Sequence, residues 1–279
     1  NKDWSYFVNG NFSYLKNWVS DIGVKNADGT PGVWTNDTQF RNLPYFYQTA
    51  EGEPLNSFYL IKTDGIFQSD EEAANYVDKN GNRIQPEAQA GDLKFVDAND
   101  DGEITDEDRQ YLGSATPKTT FAFSFGFNWK KLSFSAMFQG VGGAKAAYVG
   151  KYMLLSDVEG NFNRSSEILN AWSPTNTGSD IPCLSKNDPN GNFSTPSDYY
   201  LENASYLRLK NVTVSYDLTD VLRKWSHASE RNSSLSLFLS GENLVTFTPY
   251  SGMDPECGGW DALKYPVSRV FSLGVKLTY

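Results

Sequence analysis

Histidine is all but missing from this chain: His227 is the single one among 279 residues. It lies in a polar turn and no G-x-S-x-G occurs, so a nucleophilic triad built on a histidine base has no foundation. Two cysteines, Cys183 and Cys257, stand far apart in polar surroundings without CxxC spacing or an adjacent histidine, which excludes a zinc site. They would pair only with both on the oxidising outer side of a cell and are otherwise incidental thiols. No stretch approaches 18 consecutive apolar residues, so membrane residence would have to come from a β-barrel and not from a helix. Basic residues are outnumbered, 24 Lys and Arg against 34 Asp and Glu for a net charge of -10, and they do not cluster along the sequence. Without clustered cations to neutralise phosphates, nucleic acid is excluded as a partner. The chain opens on Asn1-Lys2-Asp3-Trp4 with neither an initiator methionine nor a signal-peptide pattern, as expected of a mature protein or a fragment.

Aromatic residues are in excess, at 15% with 16 Tyr and 18 Phe, yet the mean hydropathy is -0.51. They recur with a period of two. From Arg269 to Tyr279, Phe271, Leu273, Val275, Leu277 and Tyr279 alternate with Ser272, Gly274, Lys276 and Thr278. Successive strand side chains point to opposite faces, so this segment is oily on one side and polar on the other. Phe121, Phe123, Phe125, Phe127 and Trp129 repeat the design, Lys130-Lys131 makes a turn, and Leu132, Phe134, Ala136 and Phe138 return it. Trp4, Tyr6, Val8, Phe12 and Tyr14 do the same, with Phe7 the one bulky residue on the other side; Val212, Val214 and Tyr216, then Leu235, Leu237 and Leu239, complete the set. A face so uniformly bulky is wrong for a sandwich core, where large and small residues interdigitate, and suits lipid. The opposite face of Ser, Ala, Gly, Asn and Gln suits a wet or plugged lumen. The predicted fold is all-β: strands of a transmembrane antiparallel barrel, each of about 9 to 11 residues, the last ending on an aromatic.

The connections are unequal. Asn17 to Leu43, the acidic run to Ala90, Gly140 to Tyr200 and Thr248 to Pro266 are long and rich in Gly, Asn, Pro and Asp. Helical turns are expected at Tyr148 to Leu155 and Ser165 to Trp172, and another at D-V-L-R-K-W, Asp220 to Trp225. Long loops alternating with short turns mark a barrel with one decorated rim. No repeat or domain boundary interrupts residues 1–279.

One loop carries a chemical pattern. Asp97, Asn99, Asp101, Gly102, Glu103, Ile104 and Asp108 fit D-x-N-x-D-G-x-I-x-x-x-D. Oxygens at positions 1, 3 and 5 can converge on one cation, glycine at 6 permits a sharp turn, position 7 offers its carbonyl and position 12 closes the shell. Calcium, in a structural role, is the expected ion, with Asp97, Asn99, Asp101, Glu103 and Asp108 as its candidate ligands; Asp108 is a shorter arm than the usual glutamate. The metal-free alternative is an Asp- and Gly-rich turn.

Taken in order, T-D-G-I-F at Thr63 to Phe67, G-D-L-K-F-V-D-A-N-D-D-G-E-I-T at Gly91 to Thr105, Y-L-R-L-K-N-V-T-V-S-Y at Tyr206 to Tyr216, S-G-E-N-L-V-T-F-T-P-Y-S-G-M-D-P-E at Ser240 to Glu256 and the terminal strand resemble the C-terminal part of the SusC/RagA family of TonB-dependent outer-membrane transporters. The resemblance implies a plugged barrel of about 22 strands, of which this chain supplies the last third or so, without the signal peptide, TonB box and plug. It implies a Gram-negative outer membrane, a SusD-like lipoprotein as lid, TonB as energy source, and a glycan or peptide as imported substrate. It also makes the terminal aromatics, Phe271 and Tyr279, a signal for the barrel-assembly machinery. Trp172, Tyr199, Tyr200, Tyr250 and Trp260 become candidates for stacking on sugar or contacting the lid, with plain loop packing as the alternative for each.

Two rivals remain. A secreted calcium-stabilised β-sandwich that binds glycans would bury its apolar faces between sheets. A glycoside hydrolase needs two carboxylates about 5 to 9.5 Å apart across the scissile bond, whereas the acids here gather in one metal-like loop. The non-enzymatic reading is preferred.

Overall fold

The computed structural model describes residues 3–23, 32–35, 40–41, 43, 45–158, 163–226 and 233–278. In chain order the strands are β1 (Trp4–Tyr14), β2 (Val33–Trp34), β3 (Tyr47–Thr49), β4 (Ser57–Ile61), β5 (Thr63–Ile66), β6 (Leu93–Phe95), β7 (Arg109–Ser114), β8 (Thr119–Trp129), β9 (Leu132–Gly142), β10 (Lys145–Ala147), β11 (Leu201–Asn203), β12 (Tyr206–Asp217), β13 (Ser234–Phe247) and β14 (Val270–Thr278). The long ones form a single antiparallel sheet of six strands, β1-β8-β9-β12-β13-β14, with β1 and β14 at its edges. This is the wall.

Register sorts its two faces. Trp4 lies opposite Trp129, Val8 opposite Phe125, Phe12 opposite Phe121; across the hairpin Phe123 meets Phe138 and Phe127 meets Phe134. A bulge between Leu209 and Asn211 absorbs Lys210, so that Leu209 stays beside Phe138 while Val214 still meets Phe134 and Leu239. On the far side Leu239 lies opposite Leu273 and Leu237 opposite Val275. Among the described residues the predicted apolar positions thus share one face, along which Phe123 and Phe138 stack at 4.8 Å and Trp4 and Trp129 at 5.6 Å. No second layer covers it among the described residues: Phe125 is 39%, Trp129 42%, Phe271 73% and Leu273 73% exposed. The sandwich alternative requires these side chains to be enclosed, and the structure overturns it. Phe7, on the opposite face, lies over Gly126, where a Cβ would stand 2.6 Å from its ring; only glycine leaves room for it.

At one end of the wall the strands join by the Lys130-Lys131 turn and by a connection beginning with the helix Thr219–Ser226, as the sequence suggested. At the other end the long segments do not stay irregular. They fold into a loop layer: a sheet of order β2-β3-β4-β7 and the pairs β5-β6 and β10-β11. Leu43, Phe46, Phe58, Leu60, Val149, Tyr152 and Tyr200 form its core. The helix Gly150–Leu155 and the 3-10 turn Ser166–Asn170 fall where helical turns were expected, whereas the helix Asp70–Ala74, capped by Ser69, was not foreseen. A second cluster, Ala144, Tyr148, Ala204, Tyr250 and Cys257 with Val141 of β9, joins the layer to the top of the wall.

Candidate functional site

The acidic loop hangs between β6 and β7. Asp97 accepts from the backbone N–H groups of Asp100 (2.7 Å), Asp101 (3.2 Å) and Gly102 (2.8 Å), which winds residues 97–102 into one tight turn. Gly102 has φ +91° and sits against Asp78, 3.0 Å from where its Cβ would be, so the position demands glycine on both counts. Asp101 accepts from the Glu103 N–H (3.0 Å) and from the Asn99 amide (2.8 Å). Ile104 turns inward onto Ile61, Leu93 and Phe95. Asp108 is fully buried: one oxygen accepts from Ala98 N–H and the other from Thr105 N–H, both at 2.7 Å, in a capping box with Thr105. Arg109 then ties the loop exit to Asp106 (2.8 Å) and to the Tyr45 carbonyl (2.7 Å). Among the described residues no three acidic, His or Cys side chains gather closely enough to hold a metal. Asp97, Asn99, Asp101 and Asp108 are brought together as a hydrogen-bonded turn, with Glu103 exposed at its side.

The predicted contact aromatics lie inside the loop layer. Tyr200 is fully buried and donates to the Phe193 carbonyl (2.6 Å); Tyr250 is buried and donates to Asp261 (2.8 Å). Trp172 is buried with its indole N–H on Gln68 (3.2 Å), Trp260 packs edge-on against Phe46 at 5.1 Å, and Tyr199 meets Tyr200 edge-on at 5.4 Å. None of Trp172, Tyr200 and Tyr250 presents a free ring face to a sugar here. Tyr279 lies outside the described residues, as does His227, while Phe271 is on the open edge strand.

Sequence reading missed the charged clasps between wall and loops. Arg208 projects from β12 on the face opposite the aromatics and pairs with Asp254 (2.6 Å) and with Glu256, its Nε donating to Thr246 (2.8 Å). Burial opposes ionisation of Asp254, but N–H groups of Val267 and Glu256 and the Arg208 guanidinium outweigh it and hold the carboxyl below its usual range. Lys151 pairs with Glu202 at 2.7 Å, and Ser251 donates to the same carboxylate. Both cysteines are free thiols. Burial, and the Asp92 carboxylate to which it donates at 3.2 Å, push the Cys183 thiol up to about 12, which leaves it unreactive.

No family model matches the chain. It is, however, 30% identical to TonB-dependent receptor P3 of Formosa agariphila across its whole length, a match covering 100% of this chain and 27% of that protein. SusC of Bacteroides thetaiotaomicron is 25% identical over 82% of the chain and 20% of its own length. In three dimensions the RagAB peptide importer in its open-open state superposes on 100% of the chain and 27% of its own with a TM-score of 0.72 at 25% identity. This is a SusC/RagA-like stretch of TonB-dependent receptor sequence. The SusC/RagA-like chain spans about a quarter of the length of the relatives it matches. The superposition takes in both the six-stranded sheet and the folded segments beside it.

Proposed function

We propose that the chain forms part of the wall and rim loops of a TonB-dependent importer in a Gram-negative outer membrane. Such an importer takes up a glycan or a peptide beneath a SusD-like lipoprotein and draws its energy from TonB. The single observation that carries this reading is the uncovered aromatic face, continuous from Trp4 to Leu273 across all six strands; in water it would be an aggregation surface, in lipid it is at rest. Support for the rest comes from relatives of receptor and importer kind. Phe271 and Tyr279 would be read by the barrel-assembly machinery. The test is fractionation of the native host with an antibody to the loop layer. The antigen should stay in the outer membrane until detergent releases it together with a surface lipoprotein, and recovery in the soluble fraction ends the importer reading.

Calcium at residues 97–108 belongs to the same proposal. Asp97, Asn99, Asp101 and the Glu103 carbonyl supply the hard oxygen donors such an ion takes, while Asp108 already holds two backbone N–H groups and would close the shell only by giving one up. Added calcium should raise the melting temperature and Asp101→Ala should remove the rise; a melting curve indifferent to calcium leaves the loop as a metal-free turn.

A further inference from the structure

Where β1 and β8 end at the loop side of the wall, a cavity of about 480 Å³ opens beside Tyr14, Trp18 and Pro117. Tyr14 lies opposite Thr119 on the aromatic face and is the last residue of β1, so the cavity begins where the apolar wall stops. Lys16 and Lys118 line it, and Lys145, outside the lining itself, packs against one lining residue with its Nζ 3.9 Å from the Cβ position of Gly113. None of the three has a carboxylate partner among the described residues, although the chain carries an excess of ten acidic groups; Lys16 and Lys118 are exposed and Lys145 is half-buried. Glu53 is the one acidic side chain in the cavity wall among the described residues. Trp18 stands exposed beside Lys16, whose amine lies 5.8 Å from its ring.

We propose that this cavity binds the phosphate headgroup of a membrane lipid at the outer margin of the wall. The inference rests on the aromatic face being lipid-facing. A lipid whose acyl chains lie along Phe12 and Tyr14 has its headgroup at the height of the cavity, where unpaired ammonium groups and an interfacial tryptophan meet it. Phosphate is the charge that the lysines match, and the aromatic rim is what separates a lipid from a free anion. The upper part of the wall would thereby be fixed in depth relative to the bilayer surface.

The test uses the full chain refolded into phosphatidylcholine vesicles carrying a minor fraction of either phosphatidic acid or diacylglycerol, which differ only by the phosphate. Lipid retained after gentle detergent extraction is read by native mass spectrometry. The intact chain should retain phosphatidic acid in preference to diacylglycerol. Combined K16Q, K118Q and K145Q should lower that retention by roughly a hundred-fold, about five-fold per ammonium group, and the three Lys→Arg changes should preserve it. Unchanged retention in the glutamine variant, or displacement of the lipid by inorganic phosphate at equal concentration, overturns the site. A chain that does not float with the vesicles at all overturns the lipid-facing wall itself, so the two failures are told apart.

Discussion

The wall and the loop layer above it use the same bulky residues turned opposite ways. In the wall, the phenylalanines of β8 and β9 share one face that no second layer covers among the described residues; in the loop layer Phe46, Phe58 and Phe193 point inward and are closed off by Tyr152 and Tyr200. The wall therefore owes its order to backbone pairing and to its solvent, whereas the loop layer has a core of its own. A loop layer that packs internally can present a fixed shape at the rim, which six strands alone could not do.

That contrast can be broken from either side. The largest effect is expected for Phe58→Ala, which opens a cavity in the loop core and should cost about 3 to 5 kcal/mol, seen as an early unfolding step that is the same in detergent and in lipid. Phe125→Arg should behave differently, costing about 2 to 4 kcal/mol in a bilayer and far less in micelles; equal cost in both media would mean that the face does not meet lipid. Asp108→Asn tests the acidic loop: both Asp108 oxygens accept N–H bonds, and an amide can satisfy only one of them, so a loss of about 1 to 3 kcal/mol follows, to be read by urea melting. The smallest effect is a pH dependence at Glu202. Burial resists its ionisation, yet Lys151 and the Ser251 bonds more than offset this and hold its carboxyl below the ordinary range. The stability it adds is present above the unfolded carboxylate pKa of about 4.3 and is lost as the pH falls through the lower folded value. Thermal melts of the loop layer below that pH should steepen in the intact chain and flatten in Glu202→Gln.

Much of the wall could be read in advance because side-chain alternation is written between neighbours: Phe121, Phe123 and Phe125 declare their face without reference to any partner. The acidic turn was legible for the same reason, since Asp97 bonds only to residues a few places on. The loop aromatics were identified as candidate contacts, but Tyr200 and Tyr250 are buried because their partners, Phe193 and Asp261, fold around them. Composition marks a tyrosine as able to face either way, and packing decides.

By itself the sequence determined a two-faced β wall, long segments at one rim and a tight acidic turn at residues 97–102, because each rests on local spacing. Only the tertiary structure decided that those long segments share a core, that Arg208 clasps Asp254 and Glu256 of a distant loop, and that Lys16 and Lys118 line one cavity with Lys145 behind its Gly113. The physical reason is that charge and burial depend on proximity in space, which a chain with no basic run along its length can still create by folding.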